Sequence, residues 1–292
     1  MNISIVIPTI GNRDLLSTLV SIEESSIRVD EIIISIPNNV KLYDKYFKMF
    51  NNVRVINSDN KGQVVQRIEG FKSTKNEIVV QMDDDIILEK KCLELMYQQI
   101  KKNKKSAISA HFHDIVSKKS IYSKEGNSRF SNFFFLSELN YFKNKFASKI
   151  YNKIKNGNTI EQNGDISKSG FETYPDMQKH SEPFITGWIP GGCVMHYKSN
   201  LVLYDFFPFS GKAYCEDLYH SIALKKNNIK LYYHPNAKAY LKLESVKSNF
   251  TGFVKYLKND FVIRKQLVEE NKLSKTRMIM VYIIKTFSYL FK

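Results

Sequence analysis

Three aspartates in a row, Asp83, Asp84 and Asp85, follow the apolar run EIVVQM and precede the apolar pair Ile86-Ile87. Adjacent carboxylates repel one another and raise one another's pKa unless a cation or hydrogen-bond donors compensate them. A hard divalent cation is the simplest compensation, because Mg²⁺ takes one or two protein carboxylates and completes its shell with phosphate oxygens. The alternate residues Asp83 and Asp85, or a neighbouring pair, suit that use; the same triplet also suits a turn or a helix cap, where Asp is favoured. A second acidic pair, Glu216 and Asp217, opens the segment EDLYHSIALKK. There a carboxylate either complements the helix dipole, worth about 0.3–1 kcal/mol, or serves as a general base. Arg67, four residues after Gln63, is either a solvated helix residue or a cation for the acidic site.

These residues need a scaffold, and the first hundred positions describe one. ISIVIP (3–8), EIIISIP (31–37), VRVINS (53–58) and EIVVQM (77–82) read as strands, and RDLLSTLVSIEES, KLYDKYFKMF, QVVQRIEGFKST and KKCLELMYQQIKK read as helices. The alternation predicts an α/β fold with a doubly wound, mainly parallel sheet and helices on both faces. Ligands of such sheets bind beyond the carboxyl ends of the strands. Three polar clusters fall there: Thr9 to Arg13, Asn38-Asn39, and Asp83 to Asp85. From about 118 to 186 the chain turns polar, Gly/Asn/Ser-rich and aromatic, as in FSNFFFLSELNYF, which predicts a lid, binding loop or insert. CEDLYHSIALKKNN then reads as a helix and IKLYYHPNAKAYL as a strand.

Composition bounds the rest. The chain has 292 residues, 43% hydrophobic and 13% aromatic, enough for a large core. Cys92, Cys193 and Cys215 match no metal-ligand or redox spacing, so reduced structural thiols and a cytosolic setting are expected. MNISIVIPTI carries no leader pattern. The 44 Lys+Arg exceed the 29 Asp+Glu, a formal charge of +15. An anionic lipid surface or a phosphorylated ligand suits this balance, whereas no nucleic-acid-binding motif is present and no nucleic-acid partner is expected. Residues 250–292 hold nine Lys/Arg against three Asp/Glu, a net of +6, and end in MIMVYIIKTFSYLF. That run is broken by Lys285 and is shorter than the roughly 18–20 residues of a membrane span. It is expected to form a helical extension that either lies on an anionic membrane or packs on the core or a second subunit. Neither GxxxxGK[ST], GxGxxG nor GxSxG occurs, which removes the main support for P-loop, dinucleotide-dependent and serine-hydrolase chemistry.

SIVIPTIGNRDLLSTLVSI, then NKGQVVQRIEGFKSTKNEIVVQMDDDI, then GWIPGGCVMHYKSN and CEDLYHSIALKKNNIKLYYHPNA stand in an order that resembles family 2 glycosyltransferases of the GT-A fold, bacterial cell-surface polysaccharide type. The likeness covers about 1–110 and 184–245. It implies a nucleotide-sugar-binding half (1–110), an acceptor-binding and catalytic half with a long insert (111–249), and a basic helical tail (250–292). It implies Mn²⁺ or Mg²⁺ on Asp83 and Asp85, with Asp85 the more direct ligand. Pro8, Thr9, Arg13, Asn38, Gly62, Arg67, Asp83 and Asp84 would hold the donor nucleotide, expected to be UDP. Asp217, beside Glu216, would take the proton of the acceptor hydroxyl in an inverting displacement, and Gly191-Gly192 would border the acceptor. Trp188, the single tryptophan, is either core or a platform for a sugar ring. The strand that in the family ends in an Asp-rich turn here ends ISIPNN. Where many members place a metal-ligating His after Pro-x-Ala, this chain has Leu241. His234 is left as a weak metal candidate beside its plainer reading as a strand-end surface residue. A glycan or lipid-linked acceptor at the cytoplasmic membrane face would follow. A sugar-phosphate nucleotidyltransferase would call for a Gly-rich, cation-bearing loop after the first strand, and IPTIGNRD holds one Gly. A non-catalytic glycan- or membrane-binding relative is the third reading.

Overall fold

Near-continuous apolar runs without alternation bury both faces of a strand, which is how the centre of this sheet is built. In the computed structural model, which describes residues 2–40, 49–121, 145–157, 164–175, 177–209, 213–242 and 250–290, β1 (Ile3–Pro8) is buried at all six positions. β2 (Glu31–Pro37) and β4 (Ile78–Met82) are likewise buried throughout. With β3 (Val53–Ser58) they form a parallel block in the order β3-β2-β1-β4. Beyond β4 come β8 (Cys193–Tyr197), β6 (Ser106–Asp114), β9 (Lys230–Leu241) and β5 (Ile87–Leu88), and β7 (Phe184–Ile185) pairs β9. β8 is antiparallel to both β4 and β6, so the sheet is mixed.

The helices among the described residues are α1 (Leu16–Glu23), α2 (Gln63–Ser73), α3 (Cys92–Ile100), α4 (Lys145–Asn156), α5 (Glu216–Lys226), α6 (Phe250–Glu270) and α7 (Lys275–Leu290). α2 lies so close to β1 that a Cβ on Gly70 would come within 2.3 Å of Val6 Cγ1, which is why an otherwise unfavourable helix-interior glycine stands there. The expected helix over 41–50 and the run FSNFFFLSELNYF fall almost wholly outside the described residues.

Two units result. The first comprises 1–113, 180–185 and 189–241 and holds the sheet with α1, α2, α3 and α5. Residues 189–241 belong with 1–113 because β8 is hydrogen-bonded beside β4. The second comprises 114–179, 186–188 and 242–292 and holds α4, α6 and α7. Its core gathers Tyr151, Phe171, Val268, Met278, Val281 and Tyr282. Buried Arg264 is held there by Asp260 at 3.0 Å and Glu172 at 3.2 Å, and its guanidinium lies over the Phe171 ring at 3.9 Å. α7 is therefore part of a packed helical unit whose inner face carries Met278, Val281 and Tyr282. Its outer face leaves Ile279, Met280 and Ile283 exposed.

Candidate active site

The parallel block ends on one edge, and the polar clusters converge on it. Thr9, just past β1, donates its hydroxyl to Asp84 Oδ2 at 2.6 Å and accepts the Gly11 N–H at 3.1 Å. Arg13 binds Asp84 at 3.1 Å and also pairs with Asp85. Gln66, buried in the first turns of α2, donates to the carbonyls of Thr9 and Ser35, both at 2.8 Å, and accepts the Gly62 N–H. One side chain thereby ties the ends of β1 and β2 to the start of α2. Gln63 donates to Asp83 Oδ1 at 2.9 Å.

A cleft of about 870 Å³ opens over this edge, within the size range of ligand pockets. Pro8, Thr9, Arg13, Gly62 and all three aspartates line it, together with Asn12, Lys61, Gln63 and Gln66. Lys61 places a second exposed cation beside Arg13 on the cleft wall. Asn38 does not line the cleft: its amide donates to Asp59 at 3.0 Å across the ends of β2 and β3.

Arg67 lies behind the cleft, its side chain 3% exposed. It donates to Asp83 at 3.0 Å and to Glu216 at 2.8 Å, residues 16 and 149 positions away in the chain. Burial opposes its charge, but Glu216, Asp83 and Asp217 hold the guanidinium protonated. The solvated-helix reading of Arg67 is thus overturned: it bridges the two acidic groups. Glu216 and Asp217 open α5, where they also face the positive end of the helix. Cys215, immediately before them, has left-handed backbone with φ 58°. Asp217 is half-buried and hydrogen-bonded to Glu216; burial first, then Glu216 and Asp83, push its pKa well above the ordinary aspartate range.

The Gly191-Gly192 turn fits between these acids. Gln81 donates to Gly191 O at 2.7 Å, and Asp83 N–H donates to Gly192 O at 2.9 Å. A Cβ on Gly191 would stand 2.6 Å from Asp217 Oδ1 and 3.3 Å from Glu216 Oε2. Gly191→Ala is therefore expected to displace the Asp217 carboxylate and lower turnover by about tenfold or more, at an overpacking cost of about 1–3 kcal/mol. Steady-state rates and thermal melts of the variant test this, and unchanged turnover would contradict it.

Two expectations are corrected. Trp188 is buried, its indole N–H donates to Thr173 O at 2.8 Å and its ring meets Tyr174 edge-on, so it packs the second unit rather than presenting a face to a sugar. His234 is buried rather than a surface residue, its Nδ1 accepts the Asn236 N–H at 3.3 Å, and burial lowers its pKa to about 4. It does not join the aspartates: no three His, Cys, Asp or Glu side chains are grouped for a metal among the described residues.

The donors at the strand edge nonetheless suit a hard cation. They are all carboxylate oxygens, and despite Arg13 the Asp85 carboxyl is pushed up by burial and by the charge of Asp83. A site that still disfavours its own negative charge is one that a divalent ion with bound phosphate would relieve.

The sequence model of the family described as Glycosyl transferase family 2 matches residues 4–165. A crystal structure of GalNAc-T7 with UDP, GalNAc and Mn²⁺ is similar in fold, with a TM-score of 0.58 and 18% identity over 85% of this chain and 44% of that one. A crystal structure of S. aureus TarS, residues 1–349, is similar with a TM-score of 0.54 and 12% identity over 99% of this chain and 72% of that one. The chain thus spans less than half the length of the GalNAc-T7 structure. No curated protein matches it in sequence.

Proposed function

Because the chain belongs to glycosyl transferase family 2 and has the α/β fold of glycosyltransferases, we propose that it moves a sugar from a nucleoside diphosphate to a hydroxyl acceptor with inversion at the anomeric carbon. The observation that carries the reading is the ordered pair of acidic groups, Asp83–Asp85 at the strand edge and Glu216-Asp217 at the head of α5, joined by one buried arginine. The donor nucleotide, UDP in this reading, occupies the cleft, with its diphosphate near Arg13, Lys61 and the aspartates. Asp85 and Asp83 would hold Mn²⁺ or Mg²⁺, which neutralises charge on the leaving diphosphate. Asp217 accepts the acceptor's proton as its oxygen bonds to the anomeric carbon and the bond to the diphosphate oxygen breaks. Gly191 keeps the approach to Asp217 open.

Incubation with UDP-, dTDP- and GDP-sugars, with and without a chelator, tests the donor and metal assignments. Release of UDP that stops with chelator and resumes with Mn²⁺ is expected. Chelator-insensitive release would remove the cation from the proposal.

A glycan or lipid-linked acceptor at a membrane face, as in surface polysaccharide synthesis, is proposed on the helical unit. No helix among the described residues is long and apolar enough to cross a membrane. α7 nonetheless exposes Ile279, Met280 and Ile283, at 39%, 41% and 49%, beside a strongly basic tail. Such a face lies in an anionic interface, where each neighbouring Lys or Arg adds about 1 kcal/mol. Ile279→Asn with Ile283→Asn should reduce sedimentation with phosphatidylserine vesicles while leaving donor hydrolysis intact. Equal sedimentation of wild type and variant would contradict the membrane assignment. Point changes are preferable to truncation, because α7 also supplies buried Met278, Val281 and Tyr282.

A further inference from the structure

Arg67 has a third donor direction that the transfer chemistry does not use. Its Nε–H is buried without a hydrogen-bond partner among the described residues, and so are Gln81 Oε1, both ring nitrogens of His196, and His220 Nδ1. These groups lie in one layer. In the β4–β8 pairing, His196 stands opposite Val79 and Val194 opposite Gln81. His196, Val79 and Gln81 therefore share one face of the sheet. Val79 packs there against Phe71 of α2, the helix that carries Arg67. His220 follows Glu216 by one turn of α5 and so shares its side of that helix. The His196 and His220 rings are 5.6 Å apart, and Phe206 stacks on His220 at 5.3 Å.

Buried polar atoms are almost always paired with protein or with bound water. Two neighbouring rings with unpaired nitrogens, close enough to Arg67 to feel its charge, offer partners of the kind a buried water needs. Burial first, and then Arg67, lowers the His196 pKa to about 3, and burial with His196 and Arg67 lowers that of His220. Both rings stay neutral, so each keeps one nitrogen that can accept a hydrogen bond.

We propose that His196 and His220 are positioning residues: through a buried water they accept the Arg67 Nε–H and fix the guanidinium plane that reaches Asp83 and Glu216 together. The role in transfer rests on the glycosyltransferase reading, whereas the link to Arg67 does not. The pair acts through Arg67 and touches no substrate. A guanidinium free to turn about its Cδ–Nε bond would meet one carboxylate at a time, and the Glu216-Asp217 pair would lose its fixed partner.

The test compares His196→Leu, His220→Leu and Val202→Ala, the last a cavity variant in a neighbouring apolar cluster. The ¹H–¹⁵N resonance of Arg67 Nε should exchange slowly with solvent in the wild type. It should shift or broaden in both histidine variants and stay in place in Val202→Ala. In turnover, kcat should fall about 10- to 100-fold in the histidine variants, as for a misplaced reacting group, and His196→Gln, whose amide can accept the bond, should recover part of it. If His196→Leu does not fold, His196→Gln and His220→Leu carry the same resonance test. An Arg67 Nε signal unmoved by the histidine substitutions, or a kcat loss as large in Val202→Ala, overturns the assignment. A wild type that consumes no nucleotide sugar, with the resonance shifts present in the histidine variants, would overturn the transfer reading and leave the link to Arg67 standing.

Discussion

Asp217→Asn is expected to lower kcat by about 10²- to 10⁴-fold, the usual contribution of a general base, with UDP affinity nearly unchanged. The amide keeps the shape of the side chain and removes its proton affinity. The pH profile adds a sign. Asp217 is pushed above the ordinary aspartate range by burial, Glu216 and Asp83, so it stays protonated, and inactive as a base, to a higher pH than a free Asp. kcat/KM should therefore fall as pH drops through that raised value, placing the acid limb above the ~3.9 of an unperturbed side chain. In the Asn variant that limb should vanish. A limb at the ordinary Asp position, or one that survives the substitution, would assign the proton transfer to another group.

Arg67→Ala is expected to destabilise the first unit by about 3–5 kcal/mol, because it strands buried Glu216 and partly buried Asp83 without their cation. Turnover should be lost as well, since the same guanidinium holds the two acidic groups together. Arg67→Lys should be intermediate: an ammonium keeps the charge but lacks the planar fork that meets two carboxylates. Arg13→Ala offers the contrast. Arg13 also contacts two aspartates, but its side chain is 40% exposed, and exposed pairs contribute about 0–1 kcal/mol. Its loss should weaken donor binding and barely move the melting temperature. Urea unfolding of the three variants beside nucleotide titrations separates the cases. Equal stability of Arg67→Ala and wild type would contradict the buried bridge.

The parallel block was readable because its strands are unbroken apolar runs ending in polar residues, and the strand-end rule then located Thr9, Arg13 and the aspartates on one edge. β6 escaped because SAISAHFHD mixes small residues with histidines, and its burial at every position comes from neighbours far away in sequence. Lys61, Gln63 and Gln66 read as an ordinary polar helix start, although their place after β3 puts them on the same edge as Asp83. The link between Glu216 and Asp83 was not readable from either segment, because Arg67, which joins them, is 149 positions from Glu216. For Trp188 the sequence left core and open platform both readable, and the structure gives the packed one: its N–H donates to Thr173 O and its ring meets Tyr174 edge-on.

The most direct test is a ¹H NMR time course of the wild-type protein with a UDP-sugar, a hydroxyl acceptor and Mn²⁺ at trace level, following the donor's anomeric proton. Loss of the donor signal together with a new anomeric signal of opposite configuration is the predicted result. Retained configuration would contradict a single displacement assisted by Asp217. No donor loss with any UDP-, dTDP- or GDP-sugar would contradict glycosyl transfer itself.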